Sequence, residues 1–393
     1  MSSELYNNGP VVHKPTFIDG TSVEIPELKI LKQDGSVYEN SDMPMIDQAL
    51  AVKVYETFAF HRVLDERMVS SQRQGRLSFY MAALGEEAAS VGGAAGLQPQ
   101  DMIMSQYREQ GALMFRGFSL ENFMNQMFSN EKDLGKGRQM PIHYGSSELN
   151  YMTVSSPLGT QIPQATGYAY GQKLQGLDAV TLCYFGEGAA SEGDFHAGLN
   201  MAAVQQAPVI FFCRNNGYAI STPSDEQFKG NGIASRGVGY GIKTLRVDGN
   251  DILAVIKATQ TARTYALKEN APVLIEAMSY RLGAHSTSDD PSGYRTREEE
   301  EKWQENDPIL RMKNWMLAQN WWDEAKDKVL FEGLREKVLA AVKEAEKMNK
   351  PHIDTLISDV YDVPTKQLEA QLAQVKLHVN KYPEAYPFTA GKF

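Results

Sequence analysis

Three continuous apolar runs, separated by amphipathic stretches, constrain this chain more than any other feature. They lie at residues 179–185 (AVTLCYF), 208–214 (PVIFFCR) and 272–278 (PVLIEAM), with a shorter run at 244–247 (TLRV). Each is short and rich in β-branched and aromatic residues, which favours a strand over a buried helix. A strand that is apolar on both sides must be covered on both faces, and that is the mark of a parallel sheet. Between the runs, residues 192–206 (EGDFHAGLNMAAVQQ) read as a helix. So do residues 251–269, with Ile252, Val255, Ile256, Thr259, Ala262 and Ala266 on one side. The expected fold class is therefore α/β, a central mostly parallel sheet with helices on both faces.

Flanking segments divide the chain into three expected units. Residues 1–45 are polar, with Pro, Gly and Asn throughout, and read as an extended N-terminal arm. Residues 46–295 carry the alternating elements. They open with one or two helices at 47–73 and an Ala/Gly-crowded segment at 85–96, where small side chains permit close helix approach. Residues 296–393 form a helical C-terminal region and tail. All four tryptophans (Trp303, Trp315, Trp321, Trp322) lie there, as does a charged amphipathic helix at 330–348; residues 382–393 read as an aromatic arm.

Composition excludes several classes. With 393 residues, 42% of them hydrophobic, the chain can bury a large core without staples. A net charge of −10 argues against nucleic acid as the main partner, which requires a basic face. Cys183 and Cys213 both sit in apolar runs and read as buried thiols in a reducing compartment. No apolar stretch approaches the ~20 residues of a membrane span. The opening residues lack the patterns of a signal or transit peptide, so the expected location is cytoplasmic and bacterial-type.

The chemistry concentrates between Cys183 and Pro223. A buried strand ends in Gly186-Glu187-Gly188, and the next ends in Arg214-Asn215-Asn216-Gly217-Tyr218. Ligands of open α/β sheets bind outside such strand ends. A dinucleotide-binding loop is disfavoured, because G-E-G-A-A-S-E-G misplaces the third glycine and puts a carboxylate where a pyrophosphate would sit. The alternative is a divalent cation that itself holds a diphosphate. Glu187 supplies a carboxylate, Asn216 an amide oxygen and Tyr218 a backbone carbonyl. Arg214 adds positive charge, and the N–H groups of Gly188 and Ala189 point at the phosphates. A capping Glu and an Asn-Gly turn would be the purely structural explanation.

This G-[DE]-G…N-N arrangement is that of thiamine-diphosphate enzymes. The chain resembles the α subunits of the E1 components of 2-oxo acid dehydrogenase complexes, and within them the branched-chain group. The resemblance spans about residues 45–387. It is carried by 71–80 (SQRQGRLSFY), 106–109 (QYRE), 133–141 (DLGKGRQMP), 155–161 (SSPLGTQ), 185–194, 213–223 and 284–290 (AHSTSDD). It implies the thiamine-diphosphate-binding fold, in its diphosphate-binding half, and an enzyme using thiamine diphosphate and Mg2+. Tyr107, Arg108, Ser156, Leu158, Arg214 and His285 would then bind the coenzyme. Glu187, Asn216 and Tyr218 would bind Mg2+.

Further roles follow from the same resemblance. Ser155, Pro157, Thr160 and Gln161 would bind a monovalent cation such as K+. His285, with Ser156, would be catalytic in acyl transfer to lipoamide. Phe79, Tyr107 and Ser156 would line the substrate pocket. Ser286 aligns with a regulatory phosphorylation site. Where animal members carry a second His, this chain has Ala284. No second, pyrimidine-binding domain is visible, so a β subunit is expected, in an α2β2 heterotetramer that serves the lipoyl domain of E2. The expected substrates are branched-chain 2-oxo acids. A pyruvate or acetoin E1 α subunit, a non-catalytic scaffold of the same fold and a Rossmann oxidoreductase stay as alternatives.

Overall fold

The computed structural model describes residues 11–386. The first ten residues of the expected N-terminal arm and the last seven of the aromatic tail lie outside the described residues. The strands in chain order are β1 (Glu27–Leu28), β2 (Met102–Met104), β3 (Thr181–Gly186), β4 (Val209–Asn215), β5 (Tyr218–Ala219), β6 (Thr222–Pro223), β7 (Lys243–Asp248) and β8 (Val273–Met278). Six of them form one sheet in the order β1-β7-β8-β4-β3-β2, and every pairing in it is parallel. β5 and β6 make a separate antiparallel hairpin. The three apolar runs became β3, β4 and β8 at the centre, buried on both faces as their composition requires.

Two core clusters flank the sheet. The side chains of Leu182, Tyr184, Ile210, Phe212 and Ile275 meet the helices Glu87–Ala95 and Ile252–Glu269. Cys183, Phe185, Phe211 and Cys213 point the other way, toward the helices Gln161–Leu174 and Gly193–Gln205. That alternation is the strand period of two. It also buries both cysteines as free thiols.

The Ala/Gly segment is the helix Glu87–Ala95, and its small residues do what their size permits. A Cβ on Gly92 would lie 2.7 Å from Val255 Cγ1, so the two helices touch backbone to side chain. Residues 47–73 form the single helix Gln48–Arg73, capped by the Asp47 carboxylate on Leu50 N.

The N-terminal segment is not merely draped on the surface. Its β1 extends the sheet beside β7, and Ile30 and Leu31 are fully buried. Their backbone N–H groups both donate to Asp251 Oδ2 at 2.6 Å. Past residue 296, Met312, Trp315, Val338 and Val342 join the core of the helix Gln48–Arg73. Among the described residues no helix is long and apolar enough to cross a membrane.

Candidate active site at the carboxyl ends of the strands

β3 and β4 run side by side, with Gly186 opposite Arg214. Their carboxyl ends therefore deliver Glu187 and Asn216 to one spot. There a cavity of about 180 Å³ opens, lined by Gln106, Tyr107, Arg108, Leu158, Gly186–Ala189, Arg214, Asn216, Tyr218–Ile220, Arg281 and His285. The expected metal ligands and most of the expected coenzyme residues thus share one wall. The hairpin β5–β6 folds over Gly188 so closely that a Cβ there would sit 3.0 Å from Ala219 Cβ.

Glu187 is 1% exposed, and its Oε1 is buried without a hydrogen-bond partner. Its Oε2 accepts from Asn216 N at 3.4 Å. Burial lifts the carboxyl pKa to about 7. A buried carboxylate oxygen without a partner costs free energy unless something positive meets it. Asn216 donates through Nδ2 to Glu86 Oε1 at 3.2 Å, and its Oδ1 accepts from Tyr218 N at 3.2 Å. Its neighbour Asn215 turns to the opposite side and donates to Glu276 at 2.8 Å. Only one Asn of the pair faces the cavity.

Three arginines line the same cavity. Arg214 is held by Glu109 at 2.5 Å and Glu86 at 2.6 Å. Burial works against its charge, but the two carboxylates outweigh burial and raise its pKa. Arg108 is 2% exposed and donates to Ala82 O at 2.6 Å and to His285 Nδ1 at 3.0 Å. Arg281 donates to Ile220 O at 2.7 Å, and its Nε is buried without a partner. Burial pushes the Glu86 carboxyl up, yet Arg214, Arg108 and Arg281 together hold it below its ordinary value. His285 is held neutral: burial first, then Arg108 and Arg281, bring its ring down to about 3. Its backbone N donates to Asp289 Oδ2 at 2.7 Å, which fixes the loop. Ser286 follows it, half-buried, with Oγ accepting from Ser288 N at 3.3 Å.

The residues fit a metal-bound diphosphate. The cavity carries a partnerless buried carboxylate oxygen and a partnerless buried guanidinium nitrogen beside two further arginines. Among the described residues no group of three or more His, Cys, Asp or Glu could hold a metal. A hard cation with one protein carboxylate, an amide and a carbonyl would need phosphate oxygens to complete its shell.

Not every expected residue reaches the cavity. Ser156 is exposed and shares a 2.9 Å hydrogen bond with His143 Nε2. Phe79 packs half-buried against the core. Within the 155–161 turn, Thr160 Oγ1 reaches Ser155 Oγ at 2.9 Å and Pro157 O at 3.1 Å. Gln161 instead sends its amide to Tyr184 O at 3.0 Å. Sequence reading missed Glu86, Glu109 and Arg281. Glu109 lay inside the QYRE motif, and Arg281 follows β8 by three positions, so a search of every strand end would have found the latter.

Comparisons with known proteins identify the family of the chain. Residues 55–354 match the family described as dehydrogenase E1 component. The chain is 49% identical to the 2-oxoisovalerate dehydrogenase subunit alpha, mitochondrial, of Macaca fascicularis, over 95% of this chain and 83% of that protein. The Homo sapiens protein of the same name matches equally, at 49% over 95% of this chain and 83% of its own length. That of Dictyostelium discoideum is 51% identical over 92% of this chain and 83% of its own. These names correct one expectation. A cytoplasmic, bacterial-type location does not stand, because the relatives are mitochondrial proteins of eukaryotes. The physical reason is simple: a leader that directs transport is separate from the fold, so the fold's own residues carry no trace of it.

Proposed function

The chain belongs to the dehydrogenase E1 component family, and from that premise we propose the α subunit of a branched-chain 2-oxo acid dehydrogenase E1. It acts in thiamine-dependent decarboxylation of 3-methyl-2-oxobutanoate and related acids, followed by transfer of the acyl group to the lipoyl group of E2. The observation that carries the site assignment is Glu187 Oε1, buried and unpartnered beside Asn216 in a cavity walled by three arginines.

Thiamine diphosphate, when bound, supplies the carbanion-stabilising chemistry of the decarboxylation. The chain's own residues hold it. Glu187, Asn216 and the Tyr218 carbonyl would take Mg2+. Arg108, Arg214 and Arg281, with Tyr107, Gly188, Ala189 and Leu158, would face the diphosphate. A diphosphate held there would bring negative charge to these guanidinium groups, of which Arg214 is otherwise balanced by Glu86 and Glu109. The same charge would ease the two guanidinium neighbours' pressure on His285 and raise its ring toward a useful proton donor and acceptor for acyl transfer. Phosphate on Ser286 would put about two negative charges next to that site and oppose coenzyme binding.

Ser155, Pro157 and Thr160, whose oxygens converge, support a monovalent cation that steadies the turn before the helix Gln161–Leu174. Ser156, Phe79 and Tyr107 are proposed to meet the substrate side chain only once a β subunit closes over them. That subunit would also bring the pyrimidine half of each site, in an α2β2 assembly. Residues 46–295 would form the coenzyme-binding unit, with 1–45 and 296–393 as arm and helical region.

The test is co-expression with a β subunit of a branched-chain 2-oxo acid dehydrogenase E1 and titration with thiamine diphosphate and Mg2+. Decarboxylation of 3-methyl-2-oxobutanoate is then compared with that of pyruvate. Preference for the branched acid, seen only with both subunits, is expected. Preference for pyruvate would move the chain to the pyruvate group. Full activity from this chain alone would overturn the half-site reading.

A further inference from the structure

A second buried polar cluster lies behind the cavity wall, and the reaction as described leaves it without a task. Its centre is Asp65, 1% exposed, on the helix Gln48–Arg73. Asp65 Oδ1 accepts from Tyr80 Oη at 2.6 Å and from Gln110 Nε2 at 3.1 Å. Its Oδ2 accepts from the backbone N of Ala83 at 2.7 Å. His61, fully buried, stands one turn earlier with its Nε2 3.7 Å from Oδ2. The carboxylate thus holds a strip of non-helical chain, Tyr80 to Ala83, at both ends, through the Tyr80 hydroxyl and the Ala83 backbone N–H.

The other edge of that strip carries the site. Ala82 O accepts from Arg108 Nη1 at 2.6 Å. Tyr80 O accepts from Thr287 N at 3.2 Å and from Thr287 Oγ1 at 3.3 Å. One residue beyond, Leu84 O accepts from Leu282 N at 2.9 Å. Leu282 and Thr287 bracket His285, which Arg108 contacts in turn. Arg108 and the His285 loop therefore hang from one strip, and Asp65 is the buried post behind it.

We propose that Asp65 is a positioning residue for the coenzyme site. It sets the Tyr80–Ala83 strip so that Arg108 and His285 are presented together at the cavity. The carboxylate suits this task because it accepts three hydrogen bonds at once, and no neutral side chain of its size can. An amide in its place has one acceptor oxygen, and its NH2 would face the Ala83 N–H. The inference rests on reading the cavity as the coenzyme site, but its first readout needs no ligand.

The experiment uses the co-expressed αβ complex, wild type and Asp65→Asn. Amide hydrogen exchange is followed at Leu282 and Thr287 and, as internal reference, at β3 and β4. Thiamine diphosphate with Mg2+ is then titrated into both. Losing a charge-assisted bond to the strip should speed exchange at Leu282 and Thr287 by about tenfold or more, with the sheet unchanged. Coenzyme affinity should fall by about tenfold as well.

Unchanged exchange at both amides overturns the proposal. So does acceleration spread evenly through β3 and β4, which marks a purely structural residue. Failure of the wild-type complex to bind coenzyme, with the exchange pattern as expected, would fault the site reading and leave the positioning intact. Tyr80→Phe removes one of the three bonds with little change of shape and covers the case in which Asp65→Asn does not fold. A smaller acceleration, about threefold, at the same two amides is expected from it, and none there would equally overturn the proposal.

Discussion

Arg108 spans both ends of His285: one guanidinium nitrogen donates to the ring Nδ1 at 3.0 Å and to the backbone carbonyl at 2.5 Å. An arginine against an imidazole permits only the neutral ring, and the geometry requires Nδ1 to be the acceptor. The proton of the neutral ring then sits on Nε2, the nitrogen Arg108 leaves untouched.

His285 should consequently stay neutral through the physiological range. Its folded-state pKa, about 3, lies below the ordinary 6.5. The folded chain therefore binds fewer protons than the unfolded chain between those values. The stability this provides is complete above 6.5 and is lost as pH falls toward 3. Imidazole NMR of the coenzyme-free complex should show no His285 midpoint between pH 5 and 8. A midpoint near 6.5 would contradict the contact with Arg108. His285→Gln should soften the acid-side fall in melting temperature.

Glu187→Gln keeps the shape of the side chain and removes the charge that a cation would meet. Mg2+-dependent binding of thiamine diphosphate should weaken by about 100-fold or more, measured by calorimetry. Binding within a few-fold of wild type would sink the metal assignment. Stability is expected to hold or rise, because a neutral amide is easier to bury than a carboxylate.

Arg214 compensates two buried carboxylates, Glu86 and Glu109. Arg214→Ala leaves both without their main partner and should cost about 3–5 kcal/mol in denaturant unfolding of the complex. Double replacement of Glu86 and Glu109 by Gln in the same background should recover part of that loss. No recovery would mean that the arginine's packing, rather than its charge, is what matters.

Gly92→Ala tests the close contact between the helices Glu87–Ala95 and Ile252–Glu269, at residues that do not line the cavity. The added methyl meets Val255 at 2.7 Å, and both residues are fully buried. Overpacking should cost about 1–3 kcal/mol, seen as a lower melting temperature with unchanged coenzyme affinity. Replacing Val255 with Ala in addition should relieve it.

The sheet was legible because burial on two faces leaves a plain record: three apolar runs became β3, β4 and β8. β2 (Met102–Met104) was not, since three residues are too few to show a period. β1 was not either, since a two-residue strand in a polar arm owes its existence to β7 beside it. Glu187 and Asn216 were legible because adjacent parallel strands deliver their ends to one place. Arg281, Glu86 and Asp65 were not. They come from separate stretches of chain, and nothing local marks which carboxylate or guanidinium will face which.

By itself, then, the sequence determined the layered α/β core and the paired strand ends that carry Glu187 and Asn216, because apolar patterning and strand adjacency act over short distances. Only the tertiary structure decided the rest. It brought Arg108 to His285 and set Glu86 and Glu109 around Arg214. It split the Asn215-Asn216 pair between two faces and placed Asp65 behind the strip that both site loops share. Those relationships join residues up to 207 positions apart. Charge pairs and hydrogen bonds of that reach depend on how the packed core positions distant stretches of backbone, so no local pattern encodes them.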